Sequence, residues 1–317
     1  MSTIIIASLQ PGEGRTATAA GLAACLSKDG RSVRLMRIRS ATGADAPAED
    51  DARALALVPG CDSPRSAVTE QDAQAAAGTD GLAIIEIVEA PAGPAAELAS
   101  KLSARVVLVT AQADEQRAGD LASEAEALGD ALLGVIVTRQ AERMVTAAQK
   151  ALEDRGLRCL AVLPEDRLLA GPTPREMAEA LHASRLVDAG EEDEAVEFVM
   201  LGPVTADPGQ PYFLQHGAKA VVNRFDKMDL HLAALATEPD CLILTGGQQP
   251  SPYLLDRLGG GDTNVTVLLS PEDTVRTVEL VDELYGRTRF FGRRKVARAS
   301  DLVQQHVDIE KLASEIG

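Results

Sequence analysis

Three short segments, Leu82–Val88, Arg105–Thr110 and Leu133–Thr138, are apolar almost without interruption. A strand that faces water on one side alternates apolar and polar residues. A near-continuous apolar strand is buried on both faces, which requires helices above and below a parallel sheet. The surrounding sequence supplies them. Thr3–Ala7 reads as a strand, Thr16–Lys28 as an Ala- and Leu-rich helix stopped by Asp29-Gly30, and Val33–Ile38 as a second strand. Ser40–Asp51, rich in Ala, Gly, Asp and Pro, reads as a mobile surface loop. Ala67–Ala77, Glu115–Ala127 and Ala141–Arg155 have helical patterning, as does Pro174–His182 after a strand at Cys159–Leu163. This βαβα rhythm predicts an α/β fold with a doubly wound parallel sheet.

The rhythm pauses at Val187–Glu197, where Asp188 to Glu194 is acidic and poor in apolar residues, as linkers are. Two domains follow from this reading, 1–187 and 197–317. The second is a smaller α/β unit with strands at Glu197–Leu201, Ala218–Asn223, Cys241–Thr245 and Val265–Leu269. Its helices are at Glu272–Leu284, Val296–Gln305 and Ile309–Ile316. No internal repeat of 20–50 residues is visible, which excludes solenoids and propellers.

The stretch Ser8-Leu9-Gln10-Pro11-Gly12-Glu13-Gly14-Arg15-Thr16 joins the first strand to the first helix. Small residues in that position let backbone N–H groups turn inward, and a helix N-terminus adds positive potential, so the turn can cradle a phosphate. Against GxxxxGK[ST], Gly14 and Thr16 fit. Leu9 stands where the first Gly belongs, and Arg15 where the Lys belongs. Lys places a compact charge between phosphates, whereas Arg is longer and planar. The candidate binding residues are Gly12, Glu13, Gly14, Arg15, Thr16 and Ala17. Thr16 and Glu86 are the candidate ligands of Mg²⁺, Glu86 being preferred over Glu89 because it lies within the apolar strand. The plainer reading is a Gly-rich β–α turn with no ligand, and an exposed carboxylate at the strand end.

Lys and Arg number 31 against 48 Asp and Glu, a net charge of −17. A surface of that sign repels nucleic acid and anionic membranes, which excludes both as general partners. The four Cys and four His are dispersed, with no zinc, disulfide or HExxH spacing, which points to a reducing, cytoplasmic location. Met1 to Ile6 has no basic region and enters a strand at once, unlike a signal peptide.

Four segments carry a resemblance: LQPGEGRT, GLAIIE, LLGVIVTR and LAVLPEDRLLAGPTPREMAEAL. They resemble the dethiobiotin-synthetase-like (BioD-like) P-loop domain of the regulatory region at the N-terminus of long bacterial phosphotransacetylases. The second half resembles the DRTGG domain that follows it there, through Phe225-Asp226-Lys227-Met228-Asp229, Leu244-Thr245-Gly246-Gly247, Asp273-Thr274 and Gly286-Arg287. The fold implied is a P-loop-NTPase-like sheet followed by a DRTGG-like α/β domain. The departures are Arg15 for the loop Lys, Phe225-Asp226-Lys227 for Gly-Asp-Arg, and Thr138-Arg139 for an Asn-Lys pair whose Asn contacts the base in nucleotide-binding relatives. The resemblance leads one to expect a free-standing regulatory region, because the acetyltransferase domain would begin near Gly317.

Asp226, Lys227, Thr245, Gly246, Gly247, Asp273 and Thr274 gather at strand carboxyl ends in this reading, where open sheets bind ligands. They are the candidate ligand or dimer site of the second domain, with helix capping as the plainer role of Asp226 and Asp273. No nucleophile elbow or triad pattern is present, so no catalytic residue is assigned. The basic stretch Arg287–Lys295 reads as a loop that packs Phe290 and Phe291 with its Arg side chains solvated, or as a contact for an acidic partner.

The function expected is that of a regulatory or ligand-sensing protein. Its phosphate site is degenerate, with ATP or ADP and Mg²⁺ as the cofactor reading against none, and with little or no hydrolysis. The partners expected are a small anionic or nucleotide ligand, further copies of the chain in a homo-oligomer, and an acetyltransferase in trans. The alternatives are an ATP-dependent carboxylate-activating ligase or amidase of the dethiobiotin or cobyrinate type, and a ligand-free scaffold.

Overall fold

The computed structural model describes residues 2–28, 30–38, 46–77, 81–87, 92–187, 193–203, 211–259 and 264–316. The chain forms two compact units. The first is Met1–Asp166 together with Lys295–Gly317, and the second is Arg167–Arg294.

The first unit runs β1 (Ser2–Ser8), α1 (Arg15–Lys28), β2 (Val33–Ile38), α2 (Ala46–Leu55), β3 (Cys61–Asp62), α3 (Glu70–Ala77), β4 (Leu82–Ile87) and α4 (Ala92–Leu102). It continues with β5 (Arg105–Ala111), α5 (Glu115–Leu128), β6 (Leu132–Gln140), α6 (Val145–Glu153) and β7 (Cys159–Pro164). Among the described residues these strands make a seven-stranded sheet in the order β3-β2-β4-β1-β5-β6-β7, parallel throughout. The apolar runs explain the placement. Every residue of Leu82–Ile87 is buried, and Ile4, Ile5 and Ile6 of β1 are fully covered. Each such Ile or Leu contributes about 1.5–3 kcal/mol from its removal from water. The strand order reverses beside β1, so its carboxyl end faces the crevice where α/β sheets take ligands.

The second unit contains α7 (Arg167–Ala170), α8 (Pro174–Ala180), β8 (Ser184–Val187), β9 (Phe198–Leu201), β10 (Lys219–Arg224), α9 (Met228–Leu235), β11 (Cys241–Thr245), α10 (Pro252–Gly259), β12 (Thr266–Leu269) and α11 (Thr274–Asp282). Its five-stranded sheet has the order β8-β12-β11-β10-β9, with β8 antiparallel at one edge. The helices α12 (Arg293–His306) and α13 (Ile309–Ile316) close the chain.

Three expectations need correction. The boundary expected at Val187–Glu197 falls inside the second unit: β8 pairs with β12, and Val196 N donates to the Pro172 carbonyl at 2.9 Å. Residues 188–192 of the acidic stretch lie outside the described residues. The tail helices belong to the first unit from Lys295 onward, because Gly21 of α1 lets α12 pack against it. A Cβ on Gly21 would lie 2.6 Å from both the Ala299 carbonyl oxygen and Val303 Cγ2. Finally, the loop expected over Ser40–Asp51 is helical from Ala46, while 39–45 lie outside the described residues.

The basic stretch is a loop that leads into α12. Phe290 and Phe291 are half-buried, but Lys295 is fully buried and Arg294 pairs with Asp240 at 2.7 Å, so its charges are not all solvated. The Pro172-Thr173…Glu176 string is a capping box at the start of α8, with Thr173 N donating to Glu176 Oε2 at 2.9 Å.

Candidate functional site

The turn after β1 is held from three sides. Gly12 (φ +76°) and Gly14 (φ +90°) adopt the left-handed backbone that glycine alone takes without strain. A Cβ on Gly14 would also meet Thr138 Oγ1 at 2.9 Å. That hydroxyl donates to the Glu13 carbonyl at 2.8 Å, and Arg139 Nη2 donates to the Gly12 carbonyl at 2.6 Å. Thr138 and Arg139, which replace the expected Asn-Lys, are therefore anchors of the loop. While the Gly12, Glu13 and Gly14 carbonyls are all engaged, the N–H groups from Gly12 to Ala17 find no hydrogen-bond partner among the described residues. A run of unpaired N–H groups at a helix N-terminus attracts anions.

The side chains of the turn are engaged internally. The buried Glu13 carboxylate accepts from Gln10 N at 2.9 Å and Thr110 Oγ1 at 3.2 Å, and pairs with Arg117. Arg15 is also buried, with its Nη1 donating to the Ile87 carbonyl at 2.6 Å, at the end of β4. Burial pushes its pKa down, the Glu86 charge raises it and Arg37 lowers it further. Ala17 is half-buried in the first turn of α1 and offers only its backbone.

Thr16 and Glu86 come together as expected, with Thr16 Oγ1 donating to Glu86 Oε1 at 2.8 Å. Glu89 lies outside the described residues. A third residue escaped the sequence reading. Arg37 of β2 places Nη1 2.5 Å from Glu86 Oε1 and 3.3 Å from Thr16 Oγ1, while Nη2 lies 2.8 Å from Asp51 Oδ2. The side chains of Arg37 and Glu86 are 5% and 1% exposed. Glu86 Oε2 and Arg37 Nε have no partner among the described residues. Asp51 is pushed up to about 6, first by burial, with Arg37 pulling the other way. The only signal in the sequence was an Arg inside a strand that is otherwise largely buried; the sheet register sets it directly beside Glu86.

This arrangement does not fit a divalent cation. The two oxygens that would hold it already face a guanidinium, and bringing a second cation there is unfavourable in a buried setting. No group of three His, Cys, Asp or Glu side chains among the described residues is placed to hold a metal.

In the second unit, Gly246 (φ +99°) and Gly247 (φ +66°) turn the chain after β11. Their N–H groups are used internally: Gly246 donates to the Glu272 carbonyl at 2.7 Å and Gly247 to that of Ser270 at 3.0 Å. Thr245 and Thr274 join through their hydroxyls at 2.8 Å. Asp273 caps α11 by accepting from Arg276 N at 2.9 Å, as its plainer reading has it. Asp226 does not cap α9. The cap position is Lys227, which makes no side-chain bond there, and Asp226 pairs with Arg224 at 3.0 Å. His231 supports the same turn through Nε2 and the Arg224 carbonyl at 2.7 Å, and burial lowers its pKa.

Comparison with known proteins agrees with this division. Residues 176–284 match the DRTGG domain family, so a DRTGG domain is present. The chain is 28% identical over 243 residues to a phosphate acetyltransferase of Nitratidesulfovibrio vulgaris, which covers 70% of this chain and 34% of that protein. The chain thus spans about a third of the length of this curated relative. Among solved structures, the septum site-determining protein MinD of Pyrococcus horikoshii, complexed with Mg-ADP, is similar at 19% identity and a TM-score of 0.37. The likeness covers 53% of this chain and 83% of that one. The CBS and DRTGG domains of the regulatory region of Clostridium perfringens pyrophosphatase, complexed with the activator diadenosine tetraphosphate, match at 13% identity and a TM-score of 0.33. That match covers 47% and 72%. The first unit carries the seven-stranded parallel sheet, and the second, smaller unit, which holds the DRTGG match, is α/β.

Proposed function

We infer that the chain is a regulatory, ligand-sensing protein whose phosphate loop holds an anionic ligand without hydrolysing it. The observation that carries this reading is the run of unpartnered N–H groups from Gly12 to Ala17, beside side chains that are all committed elsewhere. The N–H groups bind charge; they do not activate water or stabilise a leaving group by themselves. Arg15 turns toward the Ile87 carbonyl, so the loop lacks the mobile ammonium that follows charge onto a transferred phosphoryl group.

Glu13 sets the strength of binding. Its carboxylate takes the Gln10 N–H and Arg117, groups that would otherwise add to the field around a phosphate. Binding is correspondingly weak, with a Kd near the millimolar range, about −4 kcal/mol. A nucleotide or a small acyl phosphate both suit a backbone cradle. The output is a change in affinity for a partner, another copy of the chain or an acetyltransferase supplied in trans, which requires two states that the ligand distinguishes. The relation to phosphate acetyltransferase supports the second partner. The crevice of Asp226, Lys227, Thr245, Gly246, Gly247, Asp273 and Thr274 is the surface for self-association or for a second ligand.

Isothermal titration with ATP, ADP and acetyl phosphate tests this reading. Saturable heat for at least one, lost when Gly14 is replaced, supports it. Flat titrations for all three favour a scaffold without a ligand.

A further inference from the structure

Thr16 and Glu86 have the chemistry of a divalent-metal site, a hydroxyl and a carboxylate 2.8 Å apart at the end of a phosphate loop. Between them the fold has inserted a permanent cation. The Arg37 guanidinium touches both oxygens and is fixed on its other side by Asp51. It arrives from β2, whose register beside β4 sets Arg37 opposite Glu86, so its position comes from the sheet and not from a mobile loop. Its side chain is only 5% exposed. The carboxylate is already matched by a charge that cannot dissociate.

We propose that Arg37 takes the place of the divalent cation, so that the phosphate loop selects the metal-free form of its ligand, an unchelated phosphate ester or anhydride. The proposal rests on the anion-binding reading of the loop. A metal chelated to the ligand's phosphates would have to sit against Thr16 and Glu86, where it meets a guanidinium. An unchelated polyphosphate instead presents its full negative charge to the Gly12–Ala17 N–H groups, with Arg15 and Arg37 behind them. The same substitution explains why the loop can bind without turning over, since no ion is available to bridge the phosphates.

The experiment titrates ATP into the full chain, once in excess EDTA and once in excess Mg²⁺. The expected result is a Kd in EDTA at least about tenfold lower than in Mg²⁺, with the order reversed in Arg37→Met. Binding that is tenfold tighter with Mg²⁺ in the wild type overturns the proposal and leaves the anion-binding reading intact. No heat under either condition overturns the anion-binding reading for ATP, and the metal claim is then decided without a ligand. Electron paramagnetic resonance of Mn²⁺ is followed as protein is added. Mn²⁺ captured by Arg37→Met, and by neither the wild type nor Arg37→Met/Glu86→Gln, supports the exchange of metal for guanidinium; any other pattern overturns it. Arg37→Gln, which keeps a donor toward Glu86, replaces Arg37→Met should that variant fail to fold by circular dichroism.

Discussion

Thr16 Oγ1 donates to Glu86 Oε1 at 2.8 Å, and Arg37 Nη1 contacts both oxygens. Residues from α1, β2 and β4 thus form one buried polar knot at the carboxyl edge of the sheet. An ion pair so enclosed adds little net stability relative to apolar residues of the same shape, but removing one partner strands the other. Arg37→Met is expected to lower unfolding free energy by about 3–5 kcal/mol, with Arg37→Met/Glu86→Leu recovering much of the loss. Urea denaturation of the wild type, both single variants and the double variant measures this. A loss in the double variant equal to the sum of the two single losses would contradict the coupling.

Asp51 gives the knot a pH signature. Its folded-state pKa lies near 6 because of burial, against the pull of Arg37 and with Glu86 and Asp50 adding to the rise. A raised carboxyl pKa means the folded chain binds the proton first. Stability from this group is therefore present below about pH 4 and is lost as pH rises through about 6, by at most about 3 kcal/mol. Asp51→Asn should flatten the dependence of the denaturation midpoint on pH between 4 and 6. An unchanged slope would remove Asp51 from the account.

The two loop glycines should differ in cost. Gly12 has only its positive φ to defend, with nothing within 4 Å of an added Cβ. Gly14 has the same backbone constraint and a Thr138 hydroxyl at 2.9 Å. Gly12→Ala is expected to cost about 1 kcal/mol, and Gly14→Ala about 2–3 kcal/mol through strain plus crowding. Thermal melts of the two variants check the order.

The return of α12 to α1 predicts an inverted sign at Gly21. In an exposed helix, Gly→Ala stabilises by about 1 kcal/mol. Here the new methyl meets the Ala299 carbonyl and Val303, so Gly21→Ala should destabilise the first unit by about 1–3 kcal/mol. A more stable variant would show that the helices are not in contact.

The parallel sheet was legible because double burial leaves a plain mark: apolar runs such as Ile84-Ile85 have no other use in a chain of this charge. The Gly-rich turn between β1 and α1 was legible from its glycines and its place between strand and helix. The roles of Arg37 and Arg117 at this turn were not, because what brings them there is register and packing: β2 must lie beside β4 before Arg37 can face Glu86. The true unit boundary was hidden for a similar reason. The acidic stretch looked like a linker locally, whereas the decisive contacts of β8 with β12 and of Gly21 with Ala299 join residues far apart in sequence. Asp226 looked like a cap because it follows a strand and precedes a helix; its pairing with Arg224 depends on a rotamer that sequence does not specify.

Glu13 should act as a brake on ligand binding. Its carboxylate occupies the Gln10 N–H and Arg117, so Glu13→Gln is expected to tighten binding of ATP or acetyl phosphate about tenfold, about 1.4 kcal/mol. Calorimetry of the variant beside the wild type reads this, and weaker binding would contradict it.

Release of inorganic phosphate from ATP, measured on the purified chain with and without Mg²⁺, bears most directly on whether this loop holds charge or cleaves it. The account predicts no release above the rate of a Thr16→Ala control under either condition. Brisk, magnesium-dependent release that Thr16→Ala abolishes would contradict it, and would place an ATP-consuming enzyme where a sensor is argued.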